Sequence, residues 1–380
     1  MAEPAPHLVH GMGEALATPS WPAITAAEAH RMLARFPDAG WLVGLRWHSP
    51  RPFSAATLVQ AGRGEFLLKR HHIRLRTPEA LAEEHRFTAH LRAAGMPVPE
   101  VMATSDGAGA VTEGEWTYEL HRRSSGADLY RDRASWTPFL SLAHAHAAGT
   151  ALARMHRAAR DFEAPVREPR PLVASFTILP ARDPLSAAEA YVAVRPALAA
   201  FLGDRRWREE LDGLFGALGG GLSARLADQP SLWTHNDWHP SNFLWSPDGE
   251  VRTVFDFGLA DRGCALHDLA TAIERTAIAW LQLGAGADDA IGDARAAGAL
   301  LAGYRSVLPL SAGEIETLAR LLPLVHVEFA LSEVDYFAGI LAEPDHAALA
   351  WDGYLIGHAR WFLSEPGRRF LRQLADAAAA

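Results

Sequence analysis

Thr234-His235-Asn236-Asp237-Trp238-His239-Pro240-Ser241-Asn242-Phe243-Leu244, followed by Val254-Phe255-Asp256-Phe257-Gly258, is the stretch on which the fold of this chain turns. Three oxygen-bearing side chains fall in a fixed order: Asp237, then Asn242 after four intervening residues, then Asp256 at the head of an Asp-Phe-Gly triplet. A carboxylate placed to accept a hydroxyl proton, with an amide oxygen and a second carboxylate able to hold a hard cation, is the set that phosphoryl transfer from a nucleotide requires. His235 and His239 stand at i and i+4, the spacing of a zinc helix, but the metalloprotease form carries Glu after the first His. Asn236 and Pro240 argue against that form.

The order His-x-Asp, four positions, Asn, then Asp-Phe-Gly resembles the catalytic and metal loops of protein kinases. With His239 and Pro240 inside the loop it resembles more closely the aminoglycoside phosphotransferase, choline kinase and homoserine kinase superfamily, whose loop commonly runs His-Gly-Asp-x-His-x-x-Asn. Gly263-Cys264-Ala265-Leu266-His267-Asp268-Leu269-Ala270 looks like that family's Asp-Leu-Ala segment, and Leu152-Ala153-Arg154-Met155-His156 like its Leu-Ala-x-x-His segment.

The resemblance implies an α+β, bilobal, protein-kinase-like fold with a small antiparallel-sheet N-lobe and a mainly helical C-lobe. It implies ATP and Mg2+ as cofactors. Asp237 is then the catalytic base, Asn242 and Asp256 the metal ligands, and Lys69 the phosphate-neutralising lysine, while His235 and Asp268 brace the loop and His239 supports it or else reaches toward the acceptor. The expected activity is phosphorylation of a hydroxyl on a small molecule of aminoglycoside, amino alcohol, hydroxy amino acid or sugar type. A protein serine/threonine kinase of the same fold is the alternative, weighed against by the lack of an Ala-Pro-Glu segment. A nucleotide-binding pseudokinase is a further one, weighed against by the intact Lys69, Asp237, Asn242 and Asp256.

Composition fits this. A chain of 380 residues exceeds what a single core usually fills. Hydrophobic residues at 49% and charged residues at 21% are ordinary globular usage. A formal net charge of −9 argues against a nucleic-acid footprint or a polybasic membrane patch. The single cysteine, Cys264, excludes an intrachain disulfide framework and suits a reducing compartment. No basic region leads into an apolar stretch at Met1–His7, so a cytoplasmic location is expected.

Residues 1–120 are expected to hold an N-terminal extension and the N-lobe, 121–126 the hinge, and 127–380 the C-lobe with an acceptor-binding insertion. Trp41 to Trp47, Ala55 to Gln60 and Gly64 to Lys69 read as three strands, with Lys69 ending the third. Thr77 and Pro78 open a helix that Gly95 and Pro97 close. On it Leu81, Phe87 and Leu91 define an inward stripe containing Glu84, with Glu83 at its edge, and Glu84 is expected to pair with Lys69. No Gly-x-Gly-x-x-Gly lies between the first two strands, so the loop from His48 to Ser54 must cover the phosphates.

Val111 to Arg122 reads as a strand pair, and His121-Arg122-Arg123-Ser124-Ser125-Gly126 as the hinge, where Arg122 and Ser124 would take part in nucleotide binding through the backbone. Long helices are expected over Phe139–Ala159, Asp268–Leu283, Asp289–Ser306 and Leu322–Leu341. In the last of these, Glu328, Ser332 and Asp335 recur at i, i+4 and i+7 among apolar residues, so Glu328 and Asp335 are expected to receive an acceptor bearing a positive charge.

Overall fold

The structure is a computed structural model that describes residues 7–10, 16–286 and 290–379. Met1–Pro6 and Asp289, on which two of the sequence expectations partly fall, lie outside the described residues. Two compact units divide the chain: one runs to Ala127 and adds Asp132–Ser135 and Arg252–Phe255, and the other holds Asp128–Arg131, Trp136–Val251 and the chain from Asp256 onward.

The first unit begins with the short antiparallel strands β1 (Val9–His10) and β2 (Leu16–Ala17) and the helix α1 (Ala26–Leu33), which Thr25 and Glu28 close with a reciprocal capping box. Its sheet is antiparallel, in the order β3 (Leu42–His48), β4 (Ala55–Ala61), β5 (Gly64–His72), β7 (Trp116–Arg122), β6 (Ala110–Glu113). Because β5 alternates, Phe66, Leu68 and Arg70 lie on one face and Leu67, Lys69 and His71 on the other. On the first face Glu28 of α1 accepts hydrogen bonds from Arg70 (2.6 Å) and Tyr118 (3.1 Å), so the N-terminal extension covers that side. Strand β5 runs three residues beyond Lys69, to His72, because its register with β7 continues to His72 opposite Trp116. The helix α2 (Pro78–Ala93) has Thr77 as N-cap and buries Leu81, Glu84, Phe87 and Leu91.

The second unit is mainly helical. It contains α3 (Leu142–Ala158), then α4 (Pro184–Ala193), α5 (Pro196–Leu202), α6 (Trp207–Leu218) and α7 (Leu222–Ala227). Strand β8 (Ser231–Thr234) leads into the quoted loop, β9 (Phe243–Trp245) leaves it, and β10 (Val251–Val254), most of which belongs to the first unit, precedes the Asp-Phe-Gly triplet. Strand β11 (Asp261–Cys264) returns antiparallel to β8, with Asp261 opposite Thr234, which sets the catalytic loop beside the segment after the triplet. Helices α8 (Ala265–Thr276), α9 (Ala294–Arg305), α10 (Ala312–Leu321), α11 (Val327–Asp335), α12 (Pro344–Ala348), α13 (His358–Leu363) and α14 (Glu365–Ala379) follow. The expected helix over Leu322–Leu341 is broken into a 3-10 turn holding Pro323, α11, and a π-helical stretch Tyr336–Leu341. Among the described residues no single helix is long and apolar enough to cross a membrane.

Helices α3 and α9 touch backbone to backbone. A Cβ on Gly149 would collide with the carbonyl oxygen of Leu300 and stand 2.9 Å from the Tyr304 nitrogen, and one on Gly303 would collide with the His146 carbonyl. The crossing sets His156 of α3 beside Tyr304 of α9, with 2.9 Å between Nδ1 and the hydroxyl. Gly149→Ala is therefore expected to destabilise the protein by about 1–3 kcal/mol, the usual cost of forcing atoms into a packed contact. Urea unfolding of the variant checks this: an unchanged midpoint would mean that the crossing has slack.

Candidate active site

The quoted loop is held from below by one buried carboxylate. Asp268, in the first turn of α8, accepts the backbone N–H of His235 at Oδ2 (2.8 Å), that of Asn236 at Oδ1 (2.8 Å), and faces His156 Nε2 at 3.0 Å. Burial disfavours its charge, but the hydrogen bond and charge of His156, with the His235 contacts, outweigh that and hold the carboxyl below its ordinary value. The segment resembling Leu-Ala-x-x-His thus ends on a residue that orients the brace.

Asn236 occupies the position where the resembling pattern has Gly, and its φ is +61°. Among residues with a side chain, Asn is one of the few that enter this left-handed region readily. Its amide is further fixed by Thr234 Oγ1 (2.9 Å), the Leu259 carbonyl (3.2 Å) and His267 Nδ1 (3.3 Å). Asp256 also has a positive φ, +63°. Arg167 spans the segment after it, donating from its backbone N–H to Asp261 Oδ1 (2.9 Å) and from its guanidinium to the carbonyls of Gly258 (3.0 Å) and Ala260 (3.1 Å). The segment between α3 and α4 therefore supplies, through Arg167, a clamp on the metal loop that sequence inspection did not single out.

Asp237 sits in a ring of polar groups. Asn242 Nδ2 donates to its Oδ2 (2.8 Å) and to its backbone carbonyl (2.9 Å), and His239 Nε2 lies 3.3 Å from Oδ1. His239 is held in turn by Ser241, whose Oγ is 2.8 Å from Nδ1, so it supports the loop. His235 packs its ring against Trp238 and Phe257, at centroid distances of 5.3 and 4.7 Å. With Nδ2 of Asn242 turned to Asp237, its Oδ1 is the atom left for a cation. An amide oxygen and the Asp256 carboxylate form a hard-oxygen donor set, which suits Mg2+.

The residue that sequence reasoning missed is Arg275, whose guanidinium forms an ion pair with Asp237 Oδ1. It lies between the rings of Trp136 and Phe329, 4.7 Å from each centroid. Beside it is a narrow pocket lined by Ala174, Ser175, Asn236, Glu274, Arg275, His326, Phe329 and Tyr354. Tyr354 comes from a π-helical stretch, Leu349–Gly357, a distortion that often marks functional positions. Buried polar atoms without a hydrogen-bond partner gather here: Arg275 Nε, His326 Nδ1 and, on the neighbouring α11, Glu333 Oε2. Burial, joined by the charge of Glu333, pushes the Glu274 carboxyl up to about 8. Glu333 is likewise pushed up to about 8 by burial, with Arg275 acting the other way.

The two carboxylates expected to receive substrate hold protein instead. Glu328 accepts from Ser175 Oγ (2.8 Å), the Thr177 N–H (2.8 Å), Thr177 Oγ1 (2.8 Å) and the Ile178 N–H (3.0 Å), while Ser332 accepts from the Leu172 N–H (2.7 Å). The polar stripe of α11 thus anchors loop 172–178, whose Ala174 and Ser175 form a pocket wall. Asp335 is raised by burial, opposed by the charge of Arg195 and a hydrogen bond from the Leu198 backbone, and does not line the pocket.

In the first unit Lys69 lies opposite Glu119 in the β5–β7 register, with 3.7 Å between Nζ and Oε1. Glu84 faces inward, and its Oε1 accepts from Arg76 Nε at 3.2 Å, a partner not anticipated from the helix phase. Arg122 still belongs to β7, and its backbone N–H is taken by the Glu100 carbonyl (2.9 Å) and its Nε by Glu100 Oε2 (2.7 Å). That N–H is thus unavailable to a nucleotide base. Ser124 follows the strand end, half-buried.

The sequence model of the phosphotransferase enzyme family matches residues 50–310. No curated protein matches. Among solved structures, a microcompartment-associated aminopropanol kinase superposes with a TM-score of 0.61 at 19% identity, covering 91% of this chain and 100% of that one. An amicoumacin kinase in complex with AMP-PNP, Ca2+ and Ami gives 0.54 at 14% identity over 93% and 94% of the two chains. An aminoglycoside phosphotransferase from Alicyclobacillus acidocaldarius gives 0.51 at 16% identity over 94% and 97%.

Proposed function

Since the chain belongs to the phosphotransferase enzyme family, we propose that it moves the γ-phosphate of ATP, bound with Mg2+, to a hydroxyl of a small molecule that carries a protonated amine. The observation that carries this reading is the pocket beside Arg275, the ion-pair partner of Asp237, whose walls include the unsatisfied Arg275 Nε and His326 Nδ1 and the proton-holding carboxyl of Glu274, with Glu333 on the neighbouring α11. Unpaired buried polar atoms are costly, so a polar molecule that supplies their partners has a large margin for specific binding.

Asp237 accepts the proton of the acceptor hydroxyl as that oxygen attacks phosphorus; Arg275 and Asn242 fix the carboxylate beforehand, so little reorganisation remains. Asn242 Oδ1 and the Asp256 carboxylate would hold magnesium, which would supply charge neutralisation for the phosphate oxygens. Lys69 contributes a further positive charge for phosphate. Asp268, through the His235 and Asn236 amides, keeps the loop in register.

Magnesium-dependent ADP release across amino alcohols, aminoglycosides, hydroxy amino acids and sugars tests the reading. Amino alcohols should lead the panel, given the aminopropanol kinase among the structural relatives. Release that no acceptor stimulates would overturn it.

The carboxyls give the amine a pH signature. Glu274 and Glu333 titrate near 8 in the folded protein, so between the ordinary carboxyl range and pH 8 the native state holds protons that the unfolded chain releases. Stability in the free protein should therefore fall as pH rises through that window. A cationic acceptor favours the ionised form, so its KM should drop as pH climbs from about 6 to 8, by at most roughly tenfold per unit for each carboxyl that ionises. Glu333→Gln should flatten the profile. A KM that is constant over this range would point to a neutral acceptor.

A further inference from the structure

On the face of the first unit's sheet that carries Lys69, three imidazoles converge on one buried carboxylate. Glu119 Oε2 is 2.7 Å from His85 Nε2 and 2.8 Å from His121 Nε2, and Oε1 is 3.0 Å from His71 Nε2. His85 comes from α2, His121 and Glu119 from β7 two residues apart, and His71 from β5. The ligand atoms of His85, Glu119 and His121 all lie within 4.8 Å of one another. We propose that His85, Glu119 and His121 form a binding site for a divalent transition metal of the zinc class, distinct from the magnesium ligands Asn242 and Asp256.

The carboxylate does not need three imidazoles as hydrogen-bond donors, because Lys69 already provides a counter-charge at 3.7 Å from Oε1. The two oxygens divide the work: Oε1 faces Lys69 and His71, and Oε2 faces His85 and His121. A metal on the Oε2 side leaves the lysine contact in place. Metal–nitrogen and metal–oxygen bonds of about 2.0–2.2 Å in a tetrahedron set ligand atoms roughly 3.4 Å apart, so the two contacts to Oε2 would open by about 0.6–0.7 Å, with the two imidazoles, now within 4.8 Å, settling to the same spacing. Each Nε2 gives up its proton on coordination, to Nδ1 of the same ring or to solvent.

The backbone makes room for this arrangement. A Cβ on Gly109 would collide with Nδ1 of His85 and stand 2.9 Å from its Cε1, so the absence of a side chain there lets the imidazole occupy its position. The chemistry of the donors sets the metal. Two imidazoles and one carboxylate, with no thiolate, suit Zn2+, Co2+ or Ni2+, whereas Mg2+ takes oxygen ligands and keeps its water.

Co2+ titration of the whole protein in excess Mg2+, followed by visible absorption and reversed by Zn2+, tests the site. The expected result is one equivalent bound with the intense bands of a low-coordinate cobalt centre. His85→Gln and His121→Gln, which keep a hydrogen-bond donor toward Glu119, should each weaken binding by at least about tenfold. Far-UV circular dichroism checks that they fold, and if neither does, the wild-type spectrum decides. Absence of those bands in the wild type, or wild-type affinity in both folded variants, overturns the proposal. Weak binding through exposed histidines would leave both substitutions without effect and counts against it.

Discussion

Asp237→Asn is expected to lower turnover by roughly 10² or more while nucleotide affinity stays close to that of the parent protein. The asparagine keeps the size of the side chain and an oxygen for Asn242 Nδ2, now 2.8 Å from Oδ2, so the loop retains its shape. What it loses is the capacity to take a proton. It also leaves the buried Arg275 guanidinium without its anionic partner, so part of the loss is a misplaced acceptor. Separate measurement of turnover and of ATP binding by calorimetry resolves the two. Turnover near that of the parent would mean that another group receives the proton.

Asp268→Ala should cost more stability than any other substitution around the loop, about 3–5 kcal/mol, and should abolish activity with it. The residue is fully buried, and its removal strands the N–H groups of His235 and Asn236 and the Nε2 of His156 in a site closed to water. Asp268→Asn retains an acceptor and should lose less. The carboxyl is held below its ordinary value, so its contribution is present above the usual carboxylate range and disappears as pH falls through the depressed value. Equilibrium unfolding of both variants at neutral pH checks the order; equal stability of Asp268→Ala and the parent would remove Asp268 from the account.

How much of this was legible depends on where the information lies along the chain. The catalytic loop was readable because Asp237, Asn242 and Asp256 are close in sequence and chemically constrained, and the sheet because Gly64 to Lys69 alternates. Arg275 was not, because α8 is buried along nearly its whole length and helical phase cannot single out one charged residue on a helix without a wet face. The pocket draws on residues 174–175, 236, 267, 271, 274–275, 325–326, 329 and 354, segments that only tertiary packing joins. Its π-helical wall has no simple periodic signature. Glu328 misled for a related reason: a carboxylate on an apolar face needs a partner, and spacing cannot say whether that partner is substrate or the backbone of Thr177 and Ile178. The N-cap at Thr77 and the inward Glu84 were visible in the helix pattern, but Arg76, eight residues away from its partner, was not weighed as an ion pair.

The contact of Gly149 with the Leu300 carbonyl and of Gly303 with the His146 carbonyl also bears on how the molecule opens. Two helices whose main chains touch cannot separate by side-chain rotation alone; α3 and α9 must part as bodies, and Thr150 Oγ1, 3.2 Å from the Gly303 carbonyl, would part with them. Their central amides should therefore exchange with deuterium only in the largest opening event available to that unit, on a single shared timescale. The Asn236 amide, tied through Asp268 and His156 to the same pair of helices, should exchange in step with them rather than with the loop in which it sits.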